Sequence, residues 1–129
     1  MKTRAFTAAA VASLLTLAAS ACGSSSGSST PNTVPADAGL IVKAGPGIRF
    51  DKSNYTATAG TVKVAYVNDD AQLHTLVLVA PDGTTLPGEL EVNKSGAIDV
   101  GTYTLTPGTY KVLCRIPGHE NMKATLTVN

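Results

Sequence analysis

The chain has 129 residues, enough for at most one ordinary domain. Ten Lys plus Arg against nine Asp plus Glu give a net charge of +1, and 43% of the residues are hydrophobic; this excludes a basic stripe for nucleic acid and a wholly disordered chain. Two cysteines, Cys22 and Cys114, permit a single bridge, which excludes a disulfide-dense scaffold.

The first residues read as a targeting segment. Lys2 and Arg4 form a short positive region, followed by an Ala- and Leu-rich stretch from Ala5 to Ala19. That stretch is too short and too Ala-rich for a membrane span, which needs about 20 strongly apolar residues. It ends Leu17-Ala18-Ala19-Ser20-Ala21-Cys22, and small residues before a cysteine, after an apolar core, resemble a bacterial lipobox. The resemblance implies a diacylglycerol thioether on Cys22 and cleavage before it. The tract from Gly23 to Thr30 is almost pure Ser and Gly, the composition of a flexible tether; an ordinary secretory signal with an incidental cysteine is the plainer alternative. The expected organisation is a signal peptide over 1–21, a lipidated Cys22 with a Ser/Gly/Pro linker over 22–38, and a folded domain over 39–129. The mature chain is then extracytoplasmic and held at the cell membrane by its lipid. Loss of Lys2 and Arg4 leaves eight positive against nine negative side chains.

The folded part reads as short strands. Residues 40–44 are apolar, and Gly45-Pro46-Gly47 punctuates them. Residues 48–50 and 55–58 are further short strands. From Thr61 to Val67, Val62, Val64 and Tyr66 alternate against Lys63. Residues 73–80 are rich in Leu and Val, and Pro81-Asp82-Gly83 has the chemistry of a turn. Residues 89–92, 97–105, 108–114 and 123–128 complete the series, with Pro107-Gly108 and Pro117-Gly118 between the last elements. Turn signals at this spacing, without apolar helical periodicity, indicate an all-β antiparallel sandwich or barrel.

The chemistry lies in two segments. Residues 110–122 read Tyr-Lys-Val-Leu-Cys-Arg-Ile-Pro-Gly-His-Glu-Asn-Met, so Cys114, His119 and Met122 share one loop. The other histidine, His74, opens an apolar strand. One thiolate, two imidazoles and a thioether suit a copper ion that cycles between Cu(I) and Cu(II). A Cys114–His119 nucleophile and a Cys22–Cys114 disulfide are the alternatives; the first lacks an orienting partner, and the second requires the tether to fold back.

Over roughly residues 48–129 the chain resembles the cupredoxins, the blue-copper proteins of the plastocyanin, azurin and amicyanin type. The likeness rests on Val67-Asn68 with His74-Thr75 upstream, then Tyr110, Cys114, Pro117-Gly118-His119, Met122 and the closing strand 124–128. It implies a Greek-key sandwich of about seven to eight strands. It also implies one copper per chain, with His74, Cys114 and His119 as equatorial ligands and Met122 as the axial one. In Cys-x₄-His-x₂-Met the first gap is similar to azurin's and the second to amicyanin's, a shorter His-to-Met gap than the family's commoner loop. A single loop cysteine does not suit a dinuclear copper centre, and two histidines are too few for a type 2 or multicopper site.

By the same likeness the Thr75 N–H donates to the Cys114 sulfur, while Pro117 has no N–H to offer it. Asn68 either ties the two ligand loops together or is a simple turn residue. Leu73, Ile116, Pro117 and Gly118 form an apolar collar around an edge-exposed His119. Tyr66, Tyr103 and Tyr110 are core residues, and Asp69, Asp70 and Glu120 are solvated charges, since carboxylates suit harder metals. The expected function is one-electron transfer, without enzymatic activity, by a monomer that meets redox proteins of the cell envelope near His119. The alternative is a lipoprotein that buffers or delivers copper without cycling, and an adhesive sandwich without metal is a third reading.

Overall fold

A computed structural model describes residues 33–129. The expected signal segment, Cys22 and the Ser/Gly tether lie outside the described residues. Within residues 33–38, expected to be linker, the Asp37 carboxylate already pairs with Lys63 of the domain.

Nine strands, and no helix, form among the described residues. They are β1 (Leu40–Gly45), β2 (Arg49–Phe50), β3 (Asn54–Ala57), β4 (Gly60–Asn68), β5 (His74–Val79), β6 (Leu90–Val92), β7 (Ile98–Leu105), β8 (Gly108–Leu113) and β9 (Lys123–Val128). The count exceeds the expected seven or eight because β2 and β6, two and three residues long, pair as separate edge strands. One sheet runs β2-β1-β4-β7 and the other β3-β9-β8-β5-β6.

Most ladders are antiparallel, but β1 with β4 and β3 with β9 are parallel. This departs from a purely antiparallel sandwich. Parallel neighbours need a long crossover. Between β1 and β4 the chain supplies one by laying β2 on the first sheet and β3 on the second.

Period-two alternation decides what enters the core. In β1, Leu40, Val42 and Ala44 are buried while Ile41 is exposed. In β4, Val62, Val64 and Tyr66 point inward, and Asn68 continues the series, wholly buried. In β5 the inward series is His74, Leu76, Leu78; in β8 it is Tyr110 and Val112, which carries on to Cys114. Read backwards from β9, Val128, Leu126 and Ala124 lead to Met122. Three of the four expected ligands therefore sit at inward steps of strands that also build the core.

Tyr110 pins the β7–β8 connection: its hydroxyl donates to the Thr106 carbonyl at 3.0 Å and accepts the Thr106 N–H at 3.1 Å. Such a tyrosine corner fixes how one strand turns into the next. Tyr66, Tyr103 and Tyr110 are all buried, as expected.

Candidate metal centre

β5 and β8 pair from Val79↔Lys111 to Val77↔Leu113 and then separate. At its first residues β5 pairs with β6 instead, His74 facing Val92. The parting of β5 and β8 opens a gap at one end of the sandwich, and both strands aim a side chain into it.

His74 is completely buried. Its Nε2 lies 3.2 Å from Asp70 Oδ2. The Ala71 N–H donates to the other Asp70 oxygen at 2.7 Å, and this bond, followed by the one to His74, holds the Asp70 carboxyl below the usual range. An ionised carboxylate against Nε2 keeps the ring proton there, so Nδ1 carries a lone pair. That Nδ1 is the one buried side-chain nitrogen or oxygen without a hydrogen-bond partner among the described residues. Buried polar atoms are almost always paired. An orphaned lone pair beside a thiol and a second imidazole fits a metal ligand.

Cys114 follows β8 and is buried as a free thiol. Its Sγ lies 3.4 Å from the Thr75 N–H nitrogen, 3.9 Å from Thr75 Oγ1 and 3.7 Å from His119 Nδ1. The His74 and His119 rings sit 4.9 Å apart, tilted by 42°. One ligand atom from each of His74, Cys114 and His119 lies within 4.8 Å of the others. Bonds of about 2.0–2.3 Å at trigonal angles would hold such atoms roughly 3.5–4 Å apart. The cluster is close to that size before any ion is added.

Turn chemistry orients the loop. The His119 N–H donates to the Ile116 carbonyl at 2.9 Å, with Pro117 and Gly118 between them. Gly118 has φ +90°, so this is a type II turn, Pro setting the first corner and Gly the second. A Cβ on Gly118 would meet nothing within 4 Å, so the requirement is the backbone angle rather than space. Next, the Met122 N–H donates to the His119 carbonyl at 2.8 Å, and the Cys114 N–H donates to the Met122 carbonyl at 3.1 Å. Met122 is buried, in the same core cluster as Cys114 and Tyr66.

His119 differs from expectation in depth. It is 6% exposed rather than open at the edge, because the turn lays its ring against that of His74. Of the residues expected to form a collar, Leu73 is 38% exposed, Ile116 is half-buried, and Pro117 and Gly118 are exposed. Cys114, the sulfur of the alternative nucleophile, is buried as well. The sulfur takes no bond from the N–H groups of Arg115, Gly118 or His119, which donate to Thr75 Oγ1 (2.9 Å), Glu120 Oε1 (3.0 Å) and Ile116 O (2.9 Å).

Two polar residues have other roles than expected. Asn68 does not join the two ligand loops. Its Nδ2 donates to the Gln72 and Val92 carbonyls at 2.7 and 3.2 Å, and its Oδ1 accepts the Asp70 N–H at 2.8 Å. It braces the His74 loop against β6, whose Val92 carbonyl it reaches. The residue that joins the two loops is Thr75. Asp70, expected to be a solvated charge, is 13% exposed and holds the His74 ring; a carboxylate four residues before a histidine was its signal. Asp69 is exposed and pairs with Lys43 at 3.4 Å. Glu120 is exposed and accepts the Gly118 N–H, and the N–H groups around it hold its carboxyl below the usual range.

No family model matches the chain, and no curated protein matches it. Solved structures do. Auracyanin A, a "blue" copper protein from the green thermophilic photosynthetic bacterium Chloroflexus aurantiacus, superposes with a TM-score of 0.59 at 23% identity, covering 69% of this chain and 96% of that one. A reduced amicyanin mutant gives 0.57 at 20% identity, over 76% and 89%. A purple cupredoxin from Nitrosopumilus maritimus gives 0.53 at 18% identity, over 70% and 99%. The fold is cupredoxin-like. Two histidines and a cysteine brought together, with Met122 on the cysteine's loop, are a donor set that suits a single copper ion.

Proposed function

We propose that the chain is a one-electron carrier of the cell envelope, in which His74, Cys114 and His119 would hold one copper, with the Met122 thioether as a weaker fourth donor. The observation that carries the reading is the unpartnered Nδ1 of wholly buried His74, facing a buried thiol and a second imidazole. Bound copper would supply the Cu(I)/Cu(II) couple. The chain's own residues do the rest. Asp70 and the β5–β6 pairing hold one imidazole, the type II turn holds the other, and burial keeps water from the sulfur. Ligands fixed beforehand need little rearrangement between oxidation states, which favours electron transfer over tight trapping of one state.

Burial also argues against copper delivery. A donor that hands metal to an acceptor needs a ligand the acceptor can reach, and His74, Cys114 and Met122 are all buried, with His119 at 6% exposure. Docking is assigned to the end of the sandwich that carries the Pro117–His119 turn, where Pro117 and Gly118 are exposed and Leu73 is 38% exposed. A nearly neutral chain with these residues exposed fits redox partners that dock through apolar contact. The carrier is a monomer that makes and breaks no covalent bond in a substrate. Lipid on Cys22 would confine it to the membrane surface outside the cytoplasm.

Copper loading tests the reading. Stoichiometric uptake, an intense visible charge-transfer band and reversible one-electron cycling are expected, with the band lost in Cys114→Ala. A colourless loaded protein that surrenders Cu(I) to a metal-free acceptor without cycling would refute it. Mass spectrometry of the membrane-extracted chain tests the anchor through the mass added at Cys22.

A further inference from the structure

Thr75 makes more contacts at the site than a backbone donor requires. It is 4% exposed and is the second residue of β5, beyond the point where β8 has left the ladder. Its Oγ1 accepts the Arg115 N–H at 2.9 Å. A hydroxyl that accepts one bond still has a proton to place. Among the described residues, the one acceptor recorded within reach of that proton is the Cys114 sulfur, 3.9 Å from Oγ1. The N–H groups of Arg115, Gly118 and His119 are committed elsewhere, and Pro117 has none to give.

We infer that the Thr75 hydroxyl donates a second hydrogen bond to the Cys114 sulfur, beside the one from the Thr75 N–H, and thereby raises the reduction potential of the site. The inference rests on the copper-carrier reading. Hydrogen bonds at a cysteine sulfur are among the levers that set the potential of such sites. Each one draws electron density from the thiolate, weakening its donation to the metal. That donation stabilises the oxidised form more than the reduced form, so an added donor favours reduction. No proton is transferred: it stays on Oγ1 while one electron enters or leaves. The same oxygen, by holding the Arg115 N–H, also fixes the first residue after the ligand. Thr75 is a positioning residue, acting on the metal through the sulfur.

The tests use the full chain. Thr75→Val keeps the shape and removes the hydroxyl, while Thr75→Ser keeps the hydroxyl. In voltammetry of the copper-loaded proteins, Thr75→Val should favour oxidation by about tenfold, a potential lower by about 59 mV for one electron. Its charge-transfer band should shift as well, and Thr75→Ser should return both toward the parent. A Thr75→Val potential equal to the parent's would overturn the inference while leaving the copper reading intact. A second measurement needs neither the variant nor the metal. In the NMR spectrum of the copper-free parent, a slowly exchanging Thr75 hydroxyl proton should show a cross-peak to the Cys114 β-protons. Its absence would also overturn the inference. If the parent binds copper without colour or cycling, the carrier reading fails, and the cross-peak alone decides where the hydroxyl points.

Discussion

Replacing Asn68 by Ala removes three side-chain hydrogen bonds at a wholly buried position: two donated to the Gln72 and Val92 carbonyls and one accepted from the Asp70 N–H. Each such bond contributes about 0.5–1.5 kcal/mol net, so the set contributes about 3 kcal/mol. For a domain of this size that lowers Tm by about 10–20 °C. The loss falls on the loop that carries Asp70 to His74, so copper affinity should drop along with stability. Urea unfolding of the copper-free protein measures the first effect, with an unchanged m-value showing that both unfold to the same extent. Competition with a copper chelator measures the second. Asn68→Asp should be at least as damaging near neutral pH, because it keeps the acceptor for Asp70 but sets a carboxylate against two carbonyl oxygens. If Asn68→Ala lies within about 0.5 kcal/mol of the parent, Asn68 is a surface turn residue in energetic terms, and the bracing argument is wrong.

Asp70→Asn should leave the unfolding midpoint of the copper-free protein nearly unchanged but weaken copper binding by about 10–100-fold, read by chelator competition; unchanged affinity would remove Asp70 from the site. Met122→Gln should retain copper and shift the potential in voltammetry, whereas complete loss of copper would make Met122 more than a weak axial ligand. Gly118→Ala forces an L-residue to φ +90° and should cost about 1–2 kcal/mol in urea unfolding, with weaker copper binding as His119 loses its aim. Burial, aided by the nearby Asp99 and Glu89 charges, pushes the Tyr103 phenol up to about 12. The folded state therefore keeps this proton where the unfolded chain, with a phenol near its ordinary value of about 10, releases it. Stability from this group is complete below about pH 10 and is lost as pH rises toward 12, at up to about 1.4 kcal/mol per pH unit. Tyr103→Phe, followed by urea unfolding from pH 9 to 12, should flatten that decline, and an unaltered slope would refute the assignment.

The strand pattern was legible because alternation is local. Val62, Val64 and Tyr66 announce the inner face of β4 without knowledge of the partner strands. The same rule extends to His74, Cys114 and Met122, each two residues from a core position on its own strand. Pairing partners were not legible. The parallel union of β1 with β4 depends on where the intervening chain is laid, which no local pattern encodes. Asn68 shows the same limit. Its side chain was visible as a polar residue closing an apolar strand, but its partner Val92 lies in an edge strand 24 residues away. The depth of His119 depends on the hand of one turn. Pro117-Gly118 announced that turn, but not the ring's final direction. Asp70 was within reach of sequence reasoning, since a four-residue offset to a histidine is local, yet its charge invited a solvated reading.

The four candidate ligands divide by what holds them. His74 and Cys114 lie at the ends of β5 and β8, strands that pair with each other a few residues away, so their placement shares the rigidity of the sandwich. His119 and Met122 lie on the connection to β9, held by the turn at Pro117-Gly118 and by two further backbone bonds, one to the His119 carbonyl and one from the Cys114 N–H. Thr75 spans the division, with its N–H and hydroxyl at the sulfur and its Oγ1 on the Arg115 N–H that begins the loop. In such an arrangement the frame sets the distance between the first imidazole and the thiolate, while the loop sets the second imidazole and the thioether. Changes in loop length or turn chemistry can then move the second imidazole and the thioether while the pairing of β5 with β8 holds the first imidazole and the thiolate. The Cys-x₄-His-x₂-Met spacing is one such setting: a short His-to-Met gap closed by the Met122 N–H on the His119 carbonyl, which brings the thioether into the core rather than out to solvent.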